Sequence, residues 1–283
     1  MREQRGPVRL VASDMDGTIV GADNSISDRT VKAFRACIEA GIDVVFVTGR
    51  PPRWLDPLRD RIGHEGTVIC SNGAITYDLA ADQVLSTSLL PLDQMFAAAR
   101  IIRDLFPRAH FAAETVEGIH LEEGFAEAGS VSLLGGIVPG PLEESLAGQP
   151  GVAKFLARAQ DISPDEFLRR VAPVVADLVE TTHSAPRMPL LEMSRPGLNK
   201  AVTLAGYAAR KGINAADTVA FGDMPNDIAM LDWAGRGYAM ASGHPAARRA
   251  AGYTAPGFME DGVAVILEQL LDVREASSGA GVR

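Results

Sequence analysis

Asp14 and Asp16 stand two residues apart where a short apolar run ends, in Val11-Ala12-Ser13-Asp14-Met15-Asp16-Gly17-Thr18. An apolar run closed by a glycine turn reads as a buried strand. Residues i and i+2 of a strand point to the same side, so both carboxylates can face one spot at its end. Two carboxylates so close repel unless a cation or a proton lies between them. Gly17 lets the chain turn sharply and bring backbone N–H groups up to a ligand. Two readings fit this stretch alone: acids capping a solvated turn, or a metal-assisted phosphoryl-transfer site.

Other apolar runs close in the same way. Ile42 to Val47 ends in Thr48-Gly49-Arg50, and Thr67 to Cys70 in Ser71-Asn72-Gly73-Ala74. Thr218 to Phe221 ends in Gly222-Asp223-Met224-Pro225-Asn226-Asp227. Ligands of open α/β sheets bind beyond the carboxyl ends of the strands, so parallel neighbours would bring these clusters together. Asp14, Asp16, Asp223 and Asp227 in one place demand a cation, and all-oxygen ligands favour a hard one, magnesium above all. Thr48, with its hydroxyl and nearby N–H groups, and Lys200, with its point charge, suit phosphate oxygens. An anionic nucleophile cannot approach a phosphate dianion without such neutralisation.

The elements that must position these residues follow from periodicity. Ser27 or Asp28 caps a helix carrying Val31, Ala33, Phe34 and Ile38 and ending at Gly41. Pro51-Pro52 open a further helix to about Ile62. Strand, helix, strand, helix, strand is the rhythm of a parallel sheet with covering helices. From about Ser86 to Pro186 the rhythm changes. A helix spans Leu92 to Leu105, and strand-like pieces fall at His110 to Ala113, Gly118 to Leu121 and Lys154 to Ala157. Another helix starts at Pro164, and residues 135–151 form a loop rich in glycine and proline.

The parallel rhythm is expected to resume at Leu190 to Met193. A helix from Gly197 to Lys211 follows, with Lys200 one turn in, then a helix at Ile228 to Ala234, a strand at Gly237 to Met240 and a closing helix at Asp261 to Leu271. The expected organisation is a catalytic domain of residues 1–85 and 187–283, with 274–283 a disordered tail, interrupted by an α+β domain of residues 86–186.

At 283 residues, two domains are a fair prior. A composition 47% hydrophobic and 22% charged can bury a sizeable core, and a net charge of −9 argues against a nucleic-acid footprint. Cys37 and Cys70 offer no disulfide or zinc framework and are expected to be buried packing residues. No signal segment or run of about 18 apolar residues is visible, so neither membrane nor export is expected and the chain reads as cytoplasmic. Monomer and homodimer both remain open.

Asp-x-Asp-Gly-Thr, a strand-terminal Thr-Gly-Arg, a later lysine and Gly-Asp-x-x-Asn-Asp, in that order, resemble the four motifs of the haloacid dehalogenase (HAD) superfamily. The long insertion, with Ser71-Asn72-Gly73-Ala74 after the third strand, is similar to its Cof-like subfamily. The likeness covers roughly residues 8–85 and 187–272. It implies an α/β fold: a Rossmann-like doubly wound parallel sheet core with an inserted α+β cap domain. It also implies a magnesium-dependent phosphatase acting on a small phosphorylated metabolite, sugar phosphates first. On this resemblance Asp14 would be the nucleophile, forming an aspartyl-phosphate. Asp16 would protonate the leaving alcohol and then activate water, and would give the metal its backbone carbonyl. Thr48, Gly49, Lys200 and Asn226 would hold phosphate. Asp14, Asp223 and Asp227 would complete the metal set, Asp227 directly or through water.

Arg50, Asn72 and Gly73 are weaker substrate-side candidates, against structural pairing for the arginine and turn chemistry for the Asn-Gly pair. Asn226 has helix capping as its alternative. His110, His120 and His183 lack metal-ligand spacing and read as surface or packed residues, His244 as a turn residue before a helix, and Phe96, Phe125 and Phe155 as core. Met240-Ala241-Ser242-Gly243 departs from the Met-Gly-Asn-Ala common among Cof-like relatives, and Asn199 stands before the lysine where serine is commoner. The rival readings are a sugar phosphomutase and a catalytically silent regulatory or interaction protein.

Overall fold

The computed structural model describes residues 7–63, 66–126 and 137–279. In chain order the first strands and helices are β1 (Leu10–Ser13), α1 (Asp28–Glu39), β2 (Asp43–Val47), β3 (Thr67–Cys70), β4 (Ile75–Asp78) and β5 (Gln83–Thr87). Next come α2 (Leu92–Leu105), β6 (His110–Glu114), β7 (Ile119–Leu121), α3 (Leu142–Ser145), β8 (Lys154–Arg158), α4 (Pro164–Val175), β9 (Glu180–Thr182) and β10 (Leu190–Ser194). The chain closes with α5 (Lys200–Arg210), β11 (Thr218–Gly222), α6 (Ile228–Trp233), β12 (Arg236–Met240), α7 (Pro245–Ala250), β13 (Tyr253–Ala255) and α8 (Gly262–Gly279). Two compact units result, Met1–Leu85 with Lys200–Arg283, and Ser86–Asn199.

The first unit is built on an eight-stranded sheet in the order β13-β12-β11-β1-β2-β3-β4-β5. From β13 through β3 the pairings are all parallel, and β4 returns antiparallel to β3. Every residue of β1 is buried, as expected where helices cover both faces of a parallel sheet. α1 begins with the Ser27 side chain accepting from Thr30 N at 3.1 Å. Its Phe34 ring meets Phe46 of β2 edge-on at 5.1 Å. β1 sits at the switch point: the chain runs from it to β2 and β3 on one side and later returns to β11 and β12 on the other.

The second unit carries a five-stranded sheet in the order β7-β6-β8-β10-β9, antiparallel at every pairing. The two-residue alternation of its strands gives it two faces. Phe111, Ala113, Phe155, Ala157, Leu191 and Met193 pack with Met95, Ala98 and Ile102 of α2 and Phe167, Val171 and Val175 of α4. The intervening positions hold a small apolar cluster, Ala112, Leu121 and Leu156, together with Glu114, Lys154 and Glu192.

Four expectations are corrected. Leu190–Ser194 does not resume the parallel sheet; it pairs antiparallel with β8 and β9. Alternation in Leu191-Glu192-Met193-Ser194 marks a strand with two unlike faces, and this moves the second boundary from 186/187 to Asn199/Lys200. The helix expected from Pro51 to Ile62 is instead a 3₁₀ turn at Pro52–Trp54 and a wide turn at Leu58–Ile62, because Pro57 has no N–H to continue a helical ladder. α5 starts at Lys200, not three residues earlier, since Gly197 adopts φ +71° in the preceding turn. Of the tail expected to be disordered over 274–283, the part through Gly279 continues α8, and residues 280–283 lie outside the described residues. Extending an existing helix costs little per residue, and α8 is anchored on α1, where Arg29 forks Glu268 at 2.9 and 2.6 Å.

Of the loop expected over 135–151, residues 135 and 136 lie outside the described residues, and α3 lies within the remainder. Cys37 and Cys70 are buried, and neither is in a disulfide. Among the described residues no helix is long and apolar enough to cross a membrane.

Candidate active site

The carboxyl ends of β11, β1, β2 and β3 lie side by side, and each delivers one polar cluster. Asp14 leaves β1 with its N–H donated to Phe221 O of β11 at 2.9 Å. Met15 between the two aspartates is fully buried and anchors the turn: Ile19 and Val20 both donate to its carbonyl at 2.8 Å. Gly17 closes this turn at φ +76°, and a Cβ there would come 2.4 Å from Asp223 Oδ2. Glycine is thus required twice over, for the backbone conformation and for the approach of Asp223.

Lys200 is wholly buried at the first residue of α5. Its Nζ donates to Asp14 Oδ1 at 2.5 Å and to Asp227 Oδ1 at 2.6 Å. The other oxygen of Asp227 accepts from the N–H groups of Asp223 and Met224, both at 2.9 Å. Asp227 is therefore an organiser, with both carboxylate oxygens already engaged. Asp223 differs: its Oδ1 is buried without a hydrogen-bond partner among the described residues. One carboxylate oxygen from each of Asp14, Asp223 and Asp227 lies within 4.8 Å of the others.

The electrostatics follow from that crowding. Burial, reinforced by Asp227, pushes the Asp14 carboxyl up to about 7. Burial with Asp14 and Asp227 pushes Asp223 up to about 9. Burial works against the charge of Lys200, but the two carboxylates in contact outweigh it and hold the ammonium's pKa above its ordinary value.

An oxygen-only donor set with an orphaned buried carboxylate oxygen and surplus negative charge fits a hard divalent cation such as Mg2+. Asp14 and Asp223 would hold it through carboxylate oxygens. Asp16 would offer its backbone carbonyl, and Asp227 would orient the ion's waters.

The remaining candidates fall into place with two changes of role. Thr48 is buried beyond β2, with its N–H bonded to Ile69 O at 2.8 Å and its Oγ1 accepting from Arg50 N at 3.0 Å. Gly49 lies between them in the same strand-end turn. Ser71, Asn72 and Gly73 all have positive φ, at 50°, 55° and 106°, a run of left-handed backbone that functional loops sustain at a cost in strain. Asn72 Oδ1 accepts from Asn226 Nδ2 at 3.0 Å, and Asn226 Oδ1 is buried without a partner. Asn226 is thus tied to the β3 loop, its free oxygen turned inward.

Arg50 is not a free substrate-side cation. It forks the exposed Asp16 carboxylate at 2.9 and 2.5 Å, and reaches Asn24 Oδ1 at 2.8 Å and Trp54 O at 3.1 Å. The planar guanidinium suits this two-point hold. His183 is buried, with Nε2 2.9 Å from Asp165, and His244 caps α7 by accepting from Ala246 N at 3.2 Å.

Three supports escaped sequence reasoning. Asn24 and the Trp54 carbonyl steady Arg50, and neither carries a motif. Gly243 lets the chain come so close to Asp223 that a Cβ would lie 2.7 Å from its carbonyl oxygen, which accepts from His244 N at 2.7 Å. The glycine in Ser242-Gly243-His244-Pro245 was the available signal for that last support.

A sheet whose switch-point strand presents carboxylates around a cation cradle and a buried lysine belongs to an enzyme that handles anionic groups by charge placement. A family model described as haloacid dehalogenase-like hydrolase matches residues 11–267, and the chain belongs to that family, in its Cof-like branch. The 5-amino-6-(5-phospho-D-ribitylamino)uracil phosphatase YitU of Bacillus subtilis is 28% identical over 265 residues, covering 92% of this chain and 96% of its own. An HMP-PP phosphatase of Serratia proteamaculans is 26% identical, covering 84% and 85%.

Among solved structures, SMU.1108c of Streptococcus mutans superposes with a TM-score of 0.78 at 24% identity, covering 94% of this chain and 99% of that one. The HAD subclass IIB sugar phosphatase BT4131 superposes at 0.77 and 22% identity, covering 93% and 98%. Family and relatives together make the chain a phosphoric monoester hydrolase.

Proposed function

We propose that the chain is a magnesium-dependent phosphatase that hydrolyses a small phosphorylated metabolite, a sugar phosphate first, through an aspartyl-phosphate. The observation that carries this reading is the seat of Asp14: at the end of the switch-point strand, 2.5 Å from Lys200 and grouped with Asp223, a carboxylate whose Oδ1 is buried without a partner. Asp14 attacks phosphorus in line while Asp16 protonates the departing alcohol oxygen, and Asp16 then takes a proton from the water that cleaves the acyl phosphate. Arg50 sets the direction of the Asp16 carboxylate. Thr48, the Gly49 N–H and Lys200 hold the phosphoryl oxygens, and Lys200 favours the charged form of Asp14 and aligns it. Bound Mg2+ supplies the positive charge that lets carboxylate and phosphate meet. Support for a phosphosugar comes from YitU, whose named substrate carries its phosphate on a ribityl chain.

The test is a phosphate-release screen over metabolite monoesters, with and without Mg2+. Release should require Mg2+, and Asp14→Asn should lower kcat by about 10⁴-fold or more, the scale of removing a covalent nucleophile. Sustained isomerisation of a sugar phosphate with no phosphate released would make the enzyme a mutase. Unchanged release by Asp14→Asn would refute the nucleophile.

A further inference from the structure

Beside Asp16 the catalytic unit holds a cavity of about 610 Å³, lined by Asp16, Asn24, Arg50, Trp54, Asp56 and Asp60 among others. Its position matters because Asp16 is the group that meets the leaving oxygen in the proposed reaction. Whatever that oxygen is attached to must extend away from phosphorus on the Asp16 side. Arg50 joins the two places physically, since the same guanidinium that forks Asp16 also bonds the Trp54 carbonyl. Cavity wall and acid/base are therefore held in one register.

The wall has a definite chemistry. Trp54 is 45% exposed, an unusual state for so large an apolar side chain. The Arg53 guanidinium lies 5.1 Å from its ring centroid, which steadies the indole where it lines the cavity. The charges do not balance. Arg50 is matched by Asp16, and Arg61, also in the lining, is matched by Asp28 at 2.7 Å. Asp56 has its one ion pair with Arg59 at 3.7 Å, an arginine engaged more closely by Asp82 at 2.5 Å, and otherwise shares the field of Arg50, which Asp16 already forks. Asp60 has no ion pair among the described residues. The cavity thus offers an aromatic wall, the Asn24 amide and two carboxylates, Asp56 only loosely paired and Asp60 in no ion pair among the described residues.

We propose that this cavity is the leaving-group subsite, and that it selects a ring-bearing, uncharged or cationic leaving group while rejecting one with a second anion. An aromatic wall beside planar carboxylate and amide groups takes an apolar ring face with hydroxyl or amino donors at its edge. A carboxylate or second phosphate there would meet Asp56 and Asp60, while the lining arginines Arg50 and Arg61 are already held by Asp16 and Asp28. The proposal rests on the phosphatase reading and adds to it a substrate class: hydroxylated or aminated ring monoesters, not bisphosphates or phospho-acids.

The test compares glucosamine 6-phosphate, glucose 6-phosphate and 6-phosphogluconate, with acetyl phosphate as a substrate whose leaving group is too small to fill the cavity. With Mg2+ the wild-type kcat/KM for the amino and neutral sugars should exceed that for the sugar acid by about tenfold, the scale of two partly screened charges. In the double variant Asp56→Asn/Asp60→Asn that ratio should fall below about threefold, and Trp54→Ala should raise KM for all three. If none of the three is turned over, their inhibition constants against acetyl phosphate give the same ratio. Thermal unfolding confirms that each variant is folded. A ratio that stays within twofold of wild type in the double variant, a wild-type preference for the sugar acid, or no turnover and no inhibition by any of the three would overturn the subsite. Failure to cleave acetyl phosphate would instead overturn the phosphatase reading on which it stands.

Discussion

Two lysines among the described residues are buried, one in each unit, and their surroundings differ in kind. Lys200 lies at 2.5 and 2.6 Å from Asp14 and Asp227, with Asp223 close by: three carboxylates to one ammonium, one of their oxygens left without a partner. Lys154 in β8 lies 3.4 Å from Glu192 of β10 and faces Glu114 across the β6–β8 register. Glu192 also accepts from the Ser184 hydroxyl. Buried carboxylates alone do not separate the two clusters. The distinction is an excess of two negative charges with an orphaned oxygen, which a divalent cation cancels, against a set in which every charged member has a protein partner.

The contrast is broken most directly at Lys200. Lys200→Met leaves Asp14 and Asp227 buried without their cation, and removal of one partner from such a cluster costs about 3–5 kcal/mol. Chemical denaturation at pH 8 should show that loss. At pH 5 it should be smaller, since Asp14, its carboxyl already pushed up to about 7, is then protonated and the missing cation matters less. An equal loss at both pH values would mean that the lysine serves packing and not charge.

A second prediction sharpens the same point through linkage. Asp14 and Asp223 have folded-state values of about 7 and about 9, both above 3.8. Between about pH 4 and pH 9 the metal-free folded state therefore holds protons that the unfolded chain has lost. Stability must fall as pH rises through that window, by on the order of 1 kcal/mol per pH unit. Mg2+ competes with those protons, so the rise in Tm on adding Mg2+ to EDTA-treated protein should grow from pH 5 to pH 9. A Tm that climbs with pH in EDTA, or a Mg2+ shift that does not change with pH, would remove the surplus-charge account of the site.

The same difference explains what could be read from the sequence. In a parallel sheet, each strand delivers a contiguous stretch to one edge, so Asp14-x-Asp16, Thr48-Gly49-Arg50 and Asp223-x-x-Asn226-Asp227 are visible as blocks. Lys200 is visible because it follows a glycine turn. The roles inside the blocks were less legible. That Arg50 holds Asp16, or that Asp227 spends both oxygens on Lys200 and backbone N–H groups, depends on side-chain direction, which spacing does not carry.

In the antiparallel unit the polar residues alternate with apolar ones along strands far apart in sequence. Glu114, Lys154 and Glu192 share a face only after three strands have paired. Glu192 was still informative, since an acid between Leu191 and Met193 marks a two-faced strand, and reading it would have kept β10 out of the parallel sheet.

Lys154→Met gives the smallest expected effect and the fairest check on the comparison. The pair it breaks is longer, at 3.4 Å, its side chains keep 10% and 5% of their exposure, and Glu192 retains Ser184. A longer contact, with one acid still hydrogen-bonded, leaves less uncompensated charge than the loss of Lys200 would. The expected cost is about 1–2 kcal/mol, below the range for a tightly enclosed pair. A double-mutant cycle with Glu192→Gln should return a coupling of about 1 kcal/mol or less. If Lys154→Met instead destabilises as much as Lys200→Met, the two lysines are equivalent charge anchors, and surplus charge no longer distinguishes the catalytic cluster from the structural one.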